Sequence, residues 1–556
     1  MIGTSGCLLF AAATLSLLAA TPVPFAFDVH RVDDDIRTLS SDEFEGRGPA
    51  TRGEVKTVAF IVDRMKAAGL QPGGTIRDGL RGWTQDVPLA EAAIVARPVL
   101  SWRRGKVVHA LTQGDEIAVQ AIPGGDRRTD IRDAPLVFVG YGVKAPERGW
   151  DDFKGADLRG KIAVVLVNDP DFEARPEDEA YGRFGGKAMT YYGRWTYKFE
   201  QAARLGALGC LIIHEDAAAS YGWATARNSV IVPQFGIVGD NAEQLRLEAW
   251  IRGGMASELL RGAGLDLERA KKAARQRSFE PIDLHATLSA SLAMRMRRVV
   301  THNVMGILPG AQHPGDTVIY SAHWDHLGVG MADSKGDRIY NGARDNASGV
   351  AMMLELARAF ASGRRPGRSI LFIALGAEER GLLGSSYYAA HPVYPLETTV
   401  ADVNMDEVLG QGAARDFSIA GNARLGLLDL LTAEGAKLGR TYTPGSHPEA
   451  GGFFREDSFP FAKQGVPAVS FMNGRDQIDG GRARGDALEE AYTRDHYHQP
   501  SDEWSPTWDL SAVVPDLTLL EAVGRHLASG GQWPQWGADS EFKIIRDVSA
   551  SARAGR

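Results

Sequence analysis

Cysteine is nearly absent from this 556-residue chain, which has two, Cys7 and Cys210. Cys7 opens an apolar N-terminal stretch. Once that stretch is removed Cys210 is alone, and no disulfide can form within the remaining chain. A protein of this length can build a core without one. The run GALGCLIIHE around Cys210 reads as an apolar strand, which makes the thiol a small buried hydrophobe. Excess positive charge is missing too: 62 Lys and Arg against 70 Asp and Glu leave a net charge of −8. That balance gives no reason to invoke nucleic acid or an anionic membrane surface as a partner. The N-terminal apolar stretch, residues 7–20, is too short to span a bilayer, so no integral membrane span is expected after its removal. Internal repeats and long low-complexity segments are lacking as well.

What is present is an ordinary globular composition, 44% apolar and 24% charged. The stretch 7–20 has the length of a secretory signal core and is followed by small residues and prolines. It predicts export to the periplasm or the medium, with a signal at 1–26. Residues 29–70 read as helices separated by a glycine-rich turn. From 84 to 131 the pattern changes to short alternating runs, with strands expected at 94–99 and 116–121. Two continuous apolar strands follow, in PLVFVGYG and GKIAVVLV, then a helix at 195–205 and a strand at 209–214. Residues 284–300 alternate again. From 303 onward the rhythm is strand, helix, strand. Strands are expected at 317–321, 369–375, 399–405 and 468–471, with helices at 348–360, 425–438 and 510–527. This alternation predicts an α/β sandwich with a largely parallel central sheet. The tail after Trp536 is polar and predicted to fray.

Metal-binding side chains punctuate this second half. His323 and Asp325 directly follow the strand TVIYSA, and in this spacing an aspartate can hold the ring of a ligating histidine. Asp345 precedes an apolar helix, where a helix cap would also be natural. Glu378 and Glu379 stand together after SILFIAL; two adjacent carboxylates at a buried strand end are costly without a cation. Asp406 ends TTVADVNMD, and His498 lies in DHYHQPSDEW. His326 and His496 are nearby rivals, read as structural or outside the ligand set. Four of the five candidate ligands fall at or just after strand ends, where α/β sheets gather ligands. Two histidines and three carboxylates fit a pair of zinc ions, and a spare glutamate beside a ligand fits a general base.

The order His, Asp, Glu-Glu, Asp, His, carried by SAHWDHLG, GARDNASGVAMMLELA, ALGAEERGLLGS, NMDEVLG, GVPAVSF and YHQPSDEW, resembles the zinc exopeptidases of metallopeptidase family 28. That family includes leucyl-type aminopeptidases, glutamate carboxypeptidases and, by descent, transferrin receptors. The resemblance covers 303–527. LSSDEFEGRGPATRGE is similar to the family's N-terminal segment, and FVGYGV with LRGKIAVVLV resembles the protease-associated domain often inserted in these enzymes. It implies a three-layer α/β/α sandwich with a mixed, largely parallel sheet and an inserted β-rich domain. The implied division is an N-terminal segment of the peptidase at 27–120, the insert at 121–290, the catalytic domain at 291–535 and a tail at 536–556.

The resemblance also implies two zinc ions bridged by Asp345, with His323 and Asp406 at one site and Glu379 and His498 at the other. Asp325 would orient His323, and Glu378 would be the general base. The substrate would be a peptide with a free N-terminus. Carboxypeptidase-type specificity and a single-zinc glutaminyl cyclase on the same fold are the neighbouring possibilities, and a receptor-like module is disfavoured because all six groups are present. One departure concerns specificity: Ser458 stands where many members have a histidine, a position that does not ligate metal. The charged segment 472–497 is a candidate wall of the site.

Overall fold

The computed structural model describes residues 25–239, 244–408, 412–421, 425–531, 533–538 and 540–554. The expected signal at 1–26 lies outside the described residues except for its last two positions. Among the described residues no helix is long and apolar enough to cross a membrane.

The lead segment forms α1 (Val29–Leu39) and α2 (Arg52–Ala67). Asp28 caps α1 by accepting the His30 N–H, and Val32, Ile36 and Leu39 form its buried stripe. After β1 (Thr84–Ile94) the chain enters a second sheet through β2 (Val99–Arg104), β3 (Val107–Leu111), β4 (Ile117–Val119), β5 (Arg128–Phe138) and β6 (Ile162–Leu166). Helix α3 (Trp195–Arg204), β7 (Gly209–His214), β8 (Leu247–Arg252) and α4 (Gly253–Gly262) complete it.

The 27-residue β9 (Ile282–Leu308) is shared by both sheets. Its first half pairs antiparallel with β2 and β5, its second half with β1. The alternation seen in the sequence is the reason: Leu284, Ala286, Leu288, Ala290, Leu292 and Met294 bury one face before the strand becomes wholly buried near Val304.

The main sheet continues with β10 (His313–His323), α5 (Gly349–Ser362), β11 (Arg368–Leu375), α6 (Leu383–Ala390), β12 (Thr399–Met405), β13 (Asp416–Ile419) and α7 (Gly426–Lys437). It ends with α8 (Ser458–Lys463), β14 (Ala468–Asn473), α9 (Gly481–Asp495), α10 (Val513–Ala528) and α11 (Lys543–Val548). The strand order is β1-β9-β11-β10-β12-β14-β13. The β11, β10, β12 and β14 neighbours run parallel, while β9 and β13 are antiparallel to theirs. Helices α5, α10 and α7 pack in one group, α6 and α8 in another, and α5 and α8 both touch β12. This is the expected mixed, largely parallel α/β sandwich.

Three expectations need correction. Residues 94–99 are not a strand: β1 ends at Ile94 and the ladder resumes at Val99, because Pro98 has no N–H to donate. Residues 99–119, expected with the peptidase segment, belong to the second sheet, where Trp102, Leu111, Ile117 and Val119 share its core. The structural border therefore lies near 95, not 121. Among the described residues the tail is not frayed: Arg546 is buried and donates to the carbonyls of Leu396 and Thr399, and Trp536 donates to that of Gly465.

Candidate metal centre

The parallel strands bring their carboxyl ends together, and the candidate ligands come with them. His323 is the last residue of β10, Asp406 follows β12, and Glu378 and Glu379 follow β11 after a two-residue turn. Asp345 sits in the turn before α5, fixed from three sides. The Arg344 and Asp345 N–H groups both donate to the Asp502 carboxylate at 3.1 Å. Asn346 Nδ2 donates to the carbonyl of Met405, tying the turn to the end of β12. Arg47, fully buried, donates to the carbonyls of Asn341 and Gly342 at 2.6 and 2.7 Å and to those of Trp324 and Leu39.

His323 Nε2 lies 3.2 Å from Asp406 Oδ1 and 3.3 Å from Asp345 Oδ1. His498 Nε2 lies 3.2 Å from Asp345 Oδ2 and 3.1 Å from Glu379 Oε2. Asp345 thus offers one oxygen to each set. Atoms bound to one tetrahedral zinc at about 2.0–2.1 Å are spaced roughly 3.3 Å apart, so both sets have the spacing of ligands around an ion. The donors, imidazole nitrogen and carboxylate oxygen, are those zinc takes.

The electrostatics of the cluster favour cations. Burial opposes a proton on His323, but Asp406, Glu378 and Asp345 outweigh it and hold the ring well above its ordinary range. Burial likewise opposes a proton on His498, yet Glu379 and Asp345 bring it to about 10. Asp345 is pressed well below the usual carboxylate range, because the surrounding histidines overcome the cost of burial. So many enclosed carboxylates are costly unless cations compensate them.

Glu378 differs from its neighbour. Burial pushes it well above the usual range; His323 opposes this, while Glu379, Asp457 and Asp406 reinforce it. Its carboxylate lies 3.9 Å from His323 Nε2, beside the ligands, and lines the open cleft. Asp325 is the residue expected to orient His323 by accepting its second ring N–H. The carbonyl oxygen of Asp325 meets His323 Nδ1 at 3.1 Å, while the carboxylate stands 3.9 Å away. That carboxylate accepts the backbone N–H groups of Glu378 and Glu379, at 2.9 and 3.4 Å, and so seats both glutamates.

The cleft has a volume of about 760 Å³ and runs from Asp345 and His498 to Tyr221 and Asp216 of the second sheet's helical face. The charged segment 472–497 is mostly the helix α9 and does form a wall. Arg344, placed over the Tyr492 ring at 4.0 Å, pairs with Glu489 at 2.7 Å. Tyr497 stacks on His498 at 3.9 Å and accepts a hydrogen bond from Arg455.

His496 is exposed and turned to Ser501, away from the cluster. His326 is drawn into it, with Nδ1 2.6 Å from Glu379 Oε1. Ser458 is buried behind the site, where its neighbour Asp457 accepts from Ser385. Reading the sequence missed Arg47 and Asp502. The second is in the quoted string YHQPSDEW, but only the fold shows that its carboxylate faces Asp345.

A family model described as "Peptidase family M28" matches residues 303–520, a span containing all the candidate ligands and Glu378. A probable zinc metalloprotease of Pyricularia oryzae is 41% identical over 87 residues, 16% of this chain and 17% of that protein. The aminopeptidase NAALADL1 of Mus musculus is 35% identical over 137 residues, 23% of this chain and 17% of that protein. The aminopeptidase YwaD of Bacillus subtilis is 38% identical over 111 residues, 19% of this chain and 22% of that protein. The chain therefore spans no more than about a quarter of the length of these relatives. Among solved structures, an aminopeptidase from Aneurinibacillus sp. strain AM-1 aligns with a TM-score of 0.50 at 20% identity, covering 91% of this chain and 95% of that one, which shows a shared fold.

Proposed function

With residues 303–520 belonging to peptidase family M28, we propose that the chain is an exported dizinc aminopeptidase that removes N-terminal residues from peptides. The observation that carries this reading is the pair of ligand sets, each spaced 3.1–3.3 Å and joined by the two oxygens of Asp345. His323 and Asp406 complete one site, Glu379 and His498 the other. Two zinc ions there would supply an acidified water and a polarised peptide carbonyl.

Glu378 takes the proton of the attacking water and returns it to the leaving amine. Its raised affinity for a proton in this enclosed setting suits both steps. Asp325 keeps the Glu378 backbone in place through the 2.9 Å contact to its N–H. The cleft receives the peptide, with α9 and the Tyr221 loop as its walls. The apolar stretch 7–20 supports export to the periplasm or the medium, and N-terminal sequencing of the exported protein tests that part.

The chemical test is hydrolysis of aminoacyl-p-nitroanilides before and after thorough chelation, with Glu378→Gln as the second arm. Chelation should abolish activity, and the variant should lose about 10²–10⁴-fold in kcat while keeping its zinc. Activity that survives chelation, or a variant as fast as the parent, would refute the reading. Cleavage of a defined peptide library separates removal of N-terminal from C-terminal residues.

A further inference from the structure

We propose that the pocket at the carboxyl edge of the second sheet is an exosite for a lysine or arginine side chain of the substrate, downstream of the bond that is cut. The proposal rests on the aminopeptidase reading above.

Strands β5, β6, β7 and β8 run parallel to one another. His214 ends β7, Arg252 ends β8, and α4 begins at Gly253. The carboxyl edge of a parallel sheet gathers ligands, and here it holds a cavity of about 560 Å³. That size lies within the roughly 300–1,000 Å³ of small-ligand sites.

The lining is acidic. Asp115, Glu116, Asp216 and Glu258 line the cavity, against Arg252 and the amino end of α4, which no side chain caps. One guanidinium and about half a charge from the helix end leave the pocket negative. Among the described residues, Asp115 alone of these four acids has an arginine or lysine at ion-pair distance, Arg252 at 3.7 Å. Arg252 also lies over the Trp223 ring at 5.7 Å, so this wall already takes a guanidinium. The Trp223 indole is fixed there by its N–H, which donates to the Gly114 carbonyl at 3.1 Å.

A second observation points to a ligand. His214 lines the same pocket, is 5% exposed, and its Nε2 is buried with no hydrogen-bond partner. Asp216 Oδ1 stands 3.5 Å from Nδ1, which favours the ring proton on that side and leaves a lone pair on Nε2. Burial lowers the ring's affinity for a proton more than Asp216 raises it, so the ring is neutral near pH 7. A neutral acceptor beside these carboxylates suits an ammonium or guanidinium, whereas an anion would leave it unsatisfied.

Asp216 also lines the cleft of the metal centre. A peptide whose N-terminus meets the ligands leaves along that cleft past Tyr221 and Asp216, and so reaches the second pocket. The carboxylates there hold a basic side chain away from the reacting bond. Binding of this kind lowers KM and leaves kcat unchanged.

The test uses the zinc-loaded enzyme and peptide amides that begin with leucine and end with lysine, joined by alanine spacers of increasing length. A second series ends in norleucine. At one or more spacings lysine should lower KM about 3- to 30-fold with kcat unchanged. The double variant Glu116→Gln, Glu258→Gln should lose most of that preference. Comparing the two series within each protein cancels any general loss of activity. A wild type with no preference at any spacing, or a double variant that keeps the full preference, overturns the proposal. Binding is also read apart from hydrolysis. Nα-acetyl-lysine methylamide should shift the Trp223 indole N–H resonance, identified through Trp223→Phe, and the norleucine compound should not. No shift, or an equal shift from norleucine, overturns the exosite. A protein without peptidase activity would sink the aminopeptidase reading, and this resonance would still decide the pocket.

Discussion

Arg47 offers the sharpest test of how the centre is held. Its guanidinium is fully buried and donates to four backbone carbonyls, those of Leu39, Trp324, Asn341 and Gly342, at 2.6–2.9 Å. Burial draws it down to about 10, with Asp345, Asp502, Asp325 and Glu379 resisting, so it stays a cation at neutral pH. Each charge-assisted hydrogen bond has a net worth of about 1.5–3 kcal/mol, and the cost of burying the guanidinium offsets several kcal/mol of their sum. Arg47→Met removes the donors and leaves four enclosed carbonyls without them. The expected destabilisation is about 3–5 kcal/mol. At about 2–4 °C per kcal/mol for a body of this size, the melting temperature should fall by about 6–20 °C at a fixed zinc concentration. Arg47→Lys should recover less than half, because one ammonium cannot reach carbonyls spread around the edges of the planar guanidinium. Calorimetry of the three proteins decides it. A melting temperature within 2 °C of wild type for Arg47→Met, or full recovery by Arg47→Lys, would refute the reasoning.

Metal affinity should rise with pH, because zinc must displace protons held on His323 and on His498, the latter at about 10. Chelator competition at several pH values should give a slope of about one in log affinity per zinc and per pH unit near neutrality, one histidine proton leaving each site; a flat profile would contradict the carboxylate-held protons. In the metal-free protein the protonated His498 stabilises the fold. That contribution is complete below its unfolded value of 6.5 and is lost as pH rises towards about 10, so melting should drop over that window and recover when zinc is added. Arg546→Ala should cost about 2–3 kcal/mol in denaturant unfolding, since it frees the carbonyls of Leu396 and Thr399. An unchanged midpoint would mean that the C-terminal helix is dispensable.

Part of the candidate site was legible because three of the candidate ligands stand at or just after strand ends, whereas Asp345 precedes α5 and His498 follows α9; the chain order of βα units places such strand ends on one edge of a sheet. His323, Glu379 and Asp406 follow from that alone. The contact roles did not follow. His326 and His498 are both histidines near carboxylates, and only the fold shows that His498 Nε2 stands 3.2 Å from Asp345 Oδ2 while His326 Nδ1 stands 3.8 Å from it. Asp325 lies beside His323, but whether its carbonyl or its carboxylate makes the contact depends on backbone direction, which residue spacing does not encode.

By itself the sequence determined the α/β rhythm, the order of the candidate ligands and the adjacency of Glu378 and Glu379 after a strand. These are local or periodic properties, written in neighbouring residues. The tertiary structure decided the rest. Arg47 reaches Asn341 and Gly342 across nearly 300 residues, β9 serves two sheets at once, and Trp102 joins the core of the second sheet rather than that of the main one. Such contacts depend on how elements meet, and long-range packing leaves no periodic trace in the chain.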